Sequence, residues 1–322
     1  MKIISNYLLS ENFIKKIIEL NYRNIKIQKI TLLKRGIYSD IYQIITFNNN
    51  IYIFKIYREN FKRKEQLEFE IKLVNLLQTK NFYVTEYIKT NLNDFYIVID
   101  LFGMYRYAIL MNYKIGEELN FNIKEDIILY ANSVASFHKI TKDVMIDCKY
   151  LNHKNSILNR NVLMNMKNSV INFLDDTKYI EKFQKIFDFI LDYRDNIKNL
   201  SKQIIHGDLH GGNCLKINKK LLFMDFDFSN YDYLLIDIST YHWSCIIRHK
   251  EKEWDIFIKE YMKKSVFLKQ ELKYLEFFVI IRELHIFYYY IKATKFMGKN
   301  LINDKIIENK IKFINYIKRR IE

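Results

Sequence analysis

The sequence predicts an α+β protein with a β-rich N-terminal lobe that holds one helix and a mostly helical C-terminal lobe. Residues 25–58 contain short apolar runs rich in Ile, Tyr and Phe, the pattern of strands separated by turns. Residues 124–200 and 232–322 instead place apolar side chains three and four positions apart, which indicates amphipathic helices. Between these helical stretches, residues 204–227 contain two short apolar runs, which predict a small β insert. A chain of 322 residues is long enough for two such lobes.

The elements of the N-terminal lobe are expected in close succession. Strands are predicted at 25–33, 41–47 and 51–57. A helix is predicted at 61–77, because apolar residues recur there at helical spacing. Further strand-like runs follow at 82–89, 95–101 and 105–111. We therefore expect an N-lobe at 1–110, a hinge at 111–116, and a C-lobe at 117–322 that contains the catalytic loop region 204–227.

Composition limits the class of protein. Hydrophobic residues make up 49% of the chain and charged residues 28%, which is typical of a globular fold. The 52 Lys+Arg exceed the 37 Asp+Glu and give a net charge of +15, but no nucleic-acid motif accompanies the basic clusters, so nucleic acid is not an expected partner. Cys148, Cys214 and Cys245 lack CxxC spacing, which favours a reducing, cytoplasmic location. Neither a signal peptide nor a membrane-spanning segment is expected, because charges interrupt the most apolar late stretch, 277–290.

The sharpest motif is the segment 206–213, which reads His-Gly-Asp-Leu-His-Gly-Gly-Asn and precedes Asp225 by twelve residues. Three of the seven glycines of the chain lie in it, which suggests a backbone that side chains must not crowd. The Asp208 carboxylate can accept a hydroxyl proton, while the Asn213 amide oxygen and Asp225 can converge on Mg²⁺, which prefers few hard oxygen ligands together with substrate phosphates. These are the parts that phosphoryl transfer requires.

A cation for the donor phosphates is predicted upstream. Lys55 lies in the middle of an apolar strand, where an unpaired ammonium group would be costly. Glu70, on the helix that follows, is its expected partner, because kinase-type folds fix the phosphate-binding lysine by such an ion pair.

The segment 206–213, together with Met224-Asp225-Phe226-Asp227, resembles the aminoglycoside phosphotransferase and choline/homoserine kinase-like family. The resemblance extends over most of the chain. It implies a two-lobed protein-kinase-like fold and Mg²⁺-dependent transfer of a phosphoryl group from ATP or GTP to a hydroxyl of a small molecule.

The resemblance also assigns roles to residues. Asp208 would be the catalytic base, and Asn213 and Asp225 the metal ligands. Lys55 and Glu70 would form the ion pair that anchors the nucleotide. The other nucleotide-binding candidates are Gly36 and Ser39 in the first turn and Met111 and Tyr113 at the hinge. His206 would brace the loop, Asp237 would open the following helix, and His210 and Asp227 are possible secondary site residues.

The sequence lacks the motifs that would indicate several other classes of nucleotide-binding protein. It has neither a GxxxxGK[ST] phosphate loop nor a GxGxxG fingerprint after a strand. It has no proline, so the Ala-Pro-Glu end of a protein-kinase activation segment is absent, which favours a small acceptor over a protein. A protein Ser/Thr kinase of the same family and a non-catalytic kinase-fold scaffold remain the alternatives.

The acceptor is left open between aminoglycosides, amino alcohols, homoserine-like compounds and sugars. Four acids between 117 and 126 (Glu117, Glu118, Glu125 and Asp126) would suit a cationic acceptor, whereas the net charge of +15 argues against one. Arg282 and His285 interrupt an aromatic helical run and could either face the acceptor or be satisfied within the core. The aromatic residues of that run are expected to be core.

Overall fold

The computed structural model describes residues 8–101, 103–146, 156–197, 200–265 and 269–322. The chain divides into two compact units, Met1–Gly116 and Glu117–Glu322. Both helices and strands occur in each unit, and the α+β class predicted from the sequence is confirmed. Within the described ranges, every helix falls short of the length and apolar character needed to cross a bilayer.

The first unit is a five-stranded antiparallel sheet with two helices. Its elements are α1 (Glu11–Asn21), β1 (Ile27–Arg35), β2 (Ser39–Thr46), β3 (Ile51–Tyr57), α2 (Lys64–Thr79), β4 (Ile97–Leu101) and β5 (Met104–Asn112). The strand order is β1-β2-β3-β5-β4. All neighbouring pairs are antiparallel, so β3 lies at the centre, between β2 and β5.

The alternation of side chains along β3 explains how a lysine comes to be buried there. Phe54 and Ile56 belong to the apolar cluster that also contains Ile14 and Ile18 of α1. Successive side chains of a strand point to opposite faces of the sheet. Lys55 and Tyr57 therefore lie on the other face, and Tyr57 contacts Glu70 of α2 there.

Two segments of this unit differ from the prediction. The run 82–89 does not form a strand; it touches β5 through an isolated bridge between Tyr87 and Met111 and through the Ile88 amide, which donates to the Leu110 carbonyl at 2.8 Å. Helix α1 was not predicted, although Ile14 and Ile18 bury one face of it at i, i+4 spacing.

The second unit is built mainly from helices. They are α3 (Lys124–Thr141), α4 (Arg160–Ile171), α5 (Thr177–Arg194), α6 (Leu235–Ile247), α7 (Glu251–Lys264), α8 (Leu275–Met297) and α9 (Asp304–Lys318). Two antiparallel strand pairs complete it: β6 (Lys202–Ile205) with β9 (Asn230–Tyr233), and β7 (Cys214–Ile217) with β8 (Lys220–Phe223). Helix α8 packs against α4, α6 and α9.

Half of the aromatic run of α8 is core, as expected, whereas Tyr288, Tyr289 and Tyr290 are only partly buried. Phe277, Phe278 and Phe287 are buried, and Phe183 of α5 stacks on Phe287 with the ring centroids 5.3 Å apart. The chain therefore uses these rings for packing rather than for a ligand cage. The polar residues that interrupt this helix, Arg282 and His285, have a different environment.

The cysteines that the structure describes are buried thiols. Cys214 and Cys245 are free, and burial raises the pKa of Cys245 to about 12. Such thiols stay protonated and are poor nucleophiles. Cys148 lies outside the described residues.

Candidate active site

The 206–213 loop connects β6 to β7, and Asp225 follows β8 with Met224 between them. Ile204 and Ile205 of β6 and the apolar residues of β8 are buried, so both ends of the loop are fixed by core strands. The pairs β6 with β9 and β7 with β8 therefore anchor this region, and the polar motif residues lie at the ends of these strands.

Asp237, in the first turn of α6, holds the start of the loop. Its carboxylate accepts hydrogen bonds from the backbone amides of His206 (2.8 Å) and Gly207 (2.7 Å). The His138 ring donates to the same carboxylate at 3.1 Å, and Asp237 is 1% exposed. Asp237 thus satisfies buried donors of the loop rather than capping the helix, whose N-cap is Leu234.

His206 braces the loop from inside. Its Nε2 donates to the Met224 carbonyl at 2.9 Å, and its Nδ1 accepts from the Asp208 amide at 3.4 Å. The side chain is completely buried. These contacts match the structural role expected for His206 and link the 206–213 loop to the segment that carries Asp225.

Two glycines of the motif are required by close contacts. Gly207 has φ +81°, and a Cβ there would lie 2.2 Å from the Phe228 carbonyl oxygen. A Cβ on Gly211 would lie 2.3 Å from a ring carbon of Phe121. The retention of glycine in this loop therefore has a steric cause.

Asp208 lies at the centre of the loop and is contacted from two directions. The Asn213 amide nitrogen donates to the Asp208 carbonyl at 2.8 Å and to its carboxylate at 3.3 Å. The Arg282 guanidinium, from α8, contacts the carboxylate through Nη2, and His210 Nε2 lies 3.7 Å from it. Burial alone would raise the pKa of Asp208, but Arg282 and His210 hold it well below its usual range. The carboxylate is therefore ionised and aimed by its neighbours.

The segment after β8 carries two further carboxylates. Asp225 is exposed and has φ +62°, a left-handed conformation that is uncommon for a residue with a side chain. Asp227 is buried, in the single 3₁₀ turn Phe226–Phe228 that follows.

The donor set fits a hard divalent cation. Because the Asn213 amide nitrogen points at Asp208, the amide oxygen points away from it and can serve as a ligand. Asp225 supplies a carboxylate. Over the described ranges, no group of three or more His, Cys, Asp or Glu gathers into a metal cage. One amide and one carboxylate suit Mg²⁺, which completes its shell with water and substrate phosphates, better than zinc.

In the first unit, Glu70 has a different partner from the one predicted. Its carboxylate contacts Lys62 Nζ at 2.5 Å and accepts from the hydroxyls of Tyr87 (2.6 Å) and Tyr57 (3.2 Å). Lys55 is 5% exposed, and its Nζ lies over the Tyr57 ring, 5.0 Å from the centroid. The Lys55–Glu70 ion pair is therefore corrected: Lys62, just before α2, is the lysine bound to Glu70.

The turn between β1 and β2 is fixed by buried charge. The Gly36 amide donates to the Ser39 carbonyl at 2.9 Å, and the Gly36 carbonyl accepts from Nε and Nη2 of Arg58 at 3.0 and 2.8 Å. Asp40 bridges Arg58 and Arg106, each at 3.0 Å, and all three side chains are at most 3% exposed. This triad was not predicted from the sequence. The arginine within the otherwise β-rich run 105–111 is the sequence feature that could have indicated a buried ion pair.

The hinge candidates lie at the end of β5. Met111 pairs with Ile53 of β3, and the Tyr113 amide donates to the Ile51 carbonyl at 3.3 Å. Tyr113 is 37% exposed. With Gly36, Ser39, Lys55 and Glu70, these residues belong to the first unit, whereas Asp208, His210, Asn213, Asp225 and Asp227 belong to the second.

Solved structures similar to this chain share its fold. An amicoumacin kinase in complex with AMP-PNP, Ca²⁺ and Ami is 14% identical, with a TM-score of 0.78 over 97% of this chain and 94% of that one. A Plasmodium vivax ethanolamine kinase is 15% identical, with a TM-score of 0.61 over 98% and 91%. A spectinomycin phosphotransferase in complex with ADP and spectinomycin is 12% identical, with a TM-score of 0.60 over 96% and 95%.

A comparison with curated proteins finds no match. The profile of the phosphotransferase enzyme family, in contrast, matches residues 29–263, which include most of β1, all of β2 to β9 and the entire 206–213 loop. The fold of the similar structures is the protein-kinase-like α+β fold implied by the motif. The chain therefore belongs to the phosphotransferase enzyme family and is a phosphotransferase that acts on hydroxyl groups.

Proposed function

We propose that this protein transfers the γ-phosphoryl group of ATP or GTP to a hydroxyl of a small molecule, with Mg²⁺ bound by Asn213 and Asp225. The observation that carries the proposal is the arrangement around Asp208. The ionised, partly buried Asp208 is held by the Asn213 amide nitrogen, which donates to its backbone carbonyl at 2.8 Å and to its carboxylate at 3.3 Å, in a loop that two core strand pairs fix in place.

Asp208 acts on the acceptor hydroxyl. Phosphoryl transfer has a loose transition state, so the main task of a base is to orient the hydroxyl, and its proton is taken up late. An ionised carboxylate with a fixed position performs both tasks. The Asn213 amide donates to one carboxylate oxygen and Arg282 contacts the other, which together fix the orientation of the carboxylate.

Asn213 and Asp225 are the residues that would hold Mg²⁺. When bound, the ion neutralises charge on the donor phosphates and fixes their position. The Met224 amide donates to the Asn213 carbonyl at 2.9 Å, and this link between Asn213 and the residue before Asp225 supports a shared ligand.

Lys55 is the proposed contact for the donor phosphates. Its ammonium group is buried on the central strand of the first sheet, where a charge gains most from an anionic ligand. Met111 and Tyr113, at the end of β5, are the proposed contacts for the base of the nucleotide. Release of ADP compared with release of GDP distinguishes a preference for adenine from one for guanine.

A small acceptor is favoured over a protein by the segment that follows the metal-binding carboxylate. After Asp225 the chain forms one 3₁₀ turn and then β9, which pairs with β6 from Asn230 onward. Helix α6 begins at Leu235. This leaves no length for an activation segment that could form a peptide platform.

The test is release of ADP or GDP with a panel of amino alcohols, sugars, hydroxy acids and aminoglycosides, with a protein substrate as the control for a protein kinase. Asp208→Asn is expected to lower kcat by about 10²- to 10⁴-fold and to leave nucleotide affinity unchanged. Asp195→Asn, at a 68% exposed site, is the matched control and should behave as wild type. Unchanged turnover in Asp208→Asn refutes the assignment.

A second readout separates catalysis from binding. Nucleotide with Mg²⁺ should raise Tm, and Asp225→Ala should remove the dependence of this shift on Mg²⁺. If wild type shows no shift with either nucleotide, a non-catalytic scaffold becomes the better description.

A further inference from the structure

One face of α8 is directed at the catalytic segment. Arg282, His285, Tyr289 and Lys292 recur at spacings of three and four, so they lie on the same side of the helix. Arg282 contacts the Asp208 carboxylate. The rings of His285 and Tyr289 meet the Phe228 ring edge to face, with centroids 6.0 and 5.3 Å away. We call these four residues the α8 face.

The α8 face carries positive charge. It contains Arg282, whose charge is paired with the Asp208 carboxylate, and Lys292, whose Nζ lies over the ring of Tyr289, 5.6 Å from its centroid. Burial and the nearby Arg282 lower the pKa of His285 to about 3, so its imidazole is neutral at pH 7. The acid that directly follows Arg282 in the chain, Glu283, does not change this balance, because Lys310 binds it at 2.8 Å.

Arg282 has hydrogen-bonding capacity left for a ligand. It contacts Asp208 through Nη2, while its Nε is buried without a hydrogen-bond partner among the described residues. Nε lies out of reach of a ligand, but the Arg282 side chain is 12% exposed, and the Nη edge of the planar guanidinium can bind the oxygens of a carboxylate.

The acidic residues that would favour a cationic acceptor are partly neutralised within their own cluster. Lys216 Nζ lies 3.1 Å from Asp126 and 3.4 Å from Glu117. Asp126 also accepts a hydrogen bond from the Asn120 amide at 2.9 Å. This cluster is therefore a weak attractant for a cation.

We propose that the phosphate acceptor is a small hydroxy carboxylate, and that Arg282 binds its carboxylate while Asp208 binds its hydroxyl. The inference rests on the proposed phosphotransfer. Because Arg282 and Asp208 are in contact, the hydroxyl and the carboxylate of the acceptor must lie on adjacent or next-but-one carbon atoms. Lys292, exposed at the end of the α8 face, adds attraction for the anion. A polycationic aminoglycoside would be repelled.

The chemistry balances without a further reactant. The bond between the γ-phosphorus and its bridging oxygen breaks, and a bond forms between that phosphorus and the acceptor hydroxyl oxygen. The hydroxyl proton passes to Asp208, and the nucleoside diphosphate leaves. The acceptor carboxylate stays on Arg282 and takes no part in bond making.

The experiment compares kcat/KM for glycerate, glyceramide and 3-amino-1,2-propanediol, which share a carbon skeleton and differ in charge. Wild type should prefer glycerate. Arg282→Gln should lower the glycerate-to-glyceramide ratio by about 10- to 100-fold, and Arg282→Lys should retain more of it. Lys312→Gln, with the same loss of charge at a 75% exposed site on α9, should leave the ratio unchanged.

The outcomes separate this inference from the proposed function. Turnover of the amino alcohol or of an aminoglycoside in the broad panel, without turnover of glycerate, overturns the hydroxy carboxylate and leaves phosphotransfer intact. A glycerate-to-glyceramide ratio that survives Arg282→Gln also overturns it. The Tm shift with nucleotide and Mg²⁺ verifies that each variant is folded, and its absence in wild type counts against phosphotransfer itself.

Discussion

Replacing Asp237 by alanine tests whether the catalytic loop depends on one buried carboxylate. Asp237 is 1% exposed and accepts hydrogen bonds from the His206 and Gly207 amides at 2.8 and 2.7 Å and from the His138 ring at 3.1 Å. Alanine removes the acceptor and leaves these donors in place. The two amides belong to the residues that directly precede Asp208.

The magnitude follows from the two backbone donors. Each buried donor left unsatisfied costs about 1–3 kcal/mol, so Asp237→Ala should lower the free energy of unfolding by about 2–6 kcal/mol. His138 is affected less, because its Nδ1 retains the Tyr261 hydroxyl at 2.9 Å. Turnover should fall as well, by about 10²-fold, because the shift of the loop moves Asp208 relative to the acceptor.

The assay is urea unfolding followed by tryptophan fluorescence and circular dichroism, with kcat measured on the same preparations. Asp195→Ala, at a 68% exposed site in the same unit, should change the unfolding free energy by less than about 0.5 kcal/mol. If Asp237→Ala is as stable as that control, the loop does not depend on this carboxylate. Asp237→Asn keeps the shape and should give an intermediate loss.

Two further predictions concern buried contacts in each unit. Asp40→Ala leaves two arginine side chains buried without their shared carboxylate, and the free energy of unfolding should fall by about 3–5 kcal/mol; a loss below 1 kcal/mol in urea unfolding would contradict the account. Gly207→Ala places a Cβ 2.2 Å from the Phe228 carbonyl oxygen at a positive φ, so Tm should fall and turnover should be lost. A Gly207→Ala enzyme with wild-type kcat would show that the loop tolerates the side chain.

Local pattern in the sequence was sufficient for several strands and helices, although not for α1 or for the run 82–89, and it was sufficient for the motif. The strands β1 to β3 and the helix α2 follow from apolar periodicity, and the 206–213 loop follows from a cluster of polar residues and glycines between apolar runs. The run 82–89 was mistaken for a strand because its composition is β-rich, whereas it meets β5 through an isolated bridge at Tyr87 and does not form a continuous ladder. Composition indicates a preference for the extended conformation. A strand forms only where a neighbouring strand offers unpaired backbone N–H and C=O groups.

Contacts between distant residues could not be predicted in this way. Arg282 and Asp208 are 74 positions apart, and Arg106 and Asp40 are 66 apart. The choice of Lys62 over Lys55 as the partner of Glu70 likewise depends on the path of the chain between β3 and α2. The charged residues of each pair can be read from the sequence, but packing determines which of them become partners.

The turn between β1 and β2 is held in place by buried charges, whereas glycine-rich loops depend on a flexible backbone. Both polar backbone groups of Gly36 are used within the protein, since its amide binds the Ser39 carbonyl at 2.9 Å and its carbonyl binds Arg58 at 2.8 Å. Gly36 therefore does not offer its amide to a phosphate as a flexible loop would. Arg58 is held in turn by Asp40, which also holds Arg106. A turn fixed in this way would lose little entropy if a nucleotide bound beside it, and buried charge would then replace the additional glycines that this chain of seven glycines lacks there.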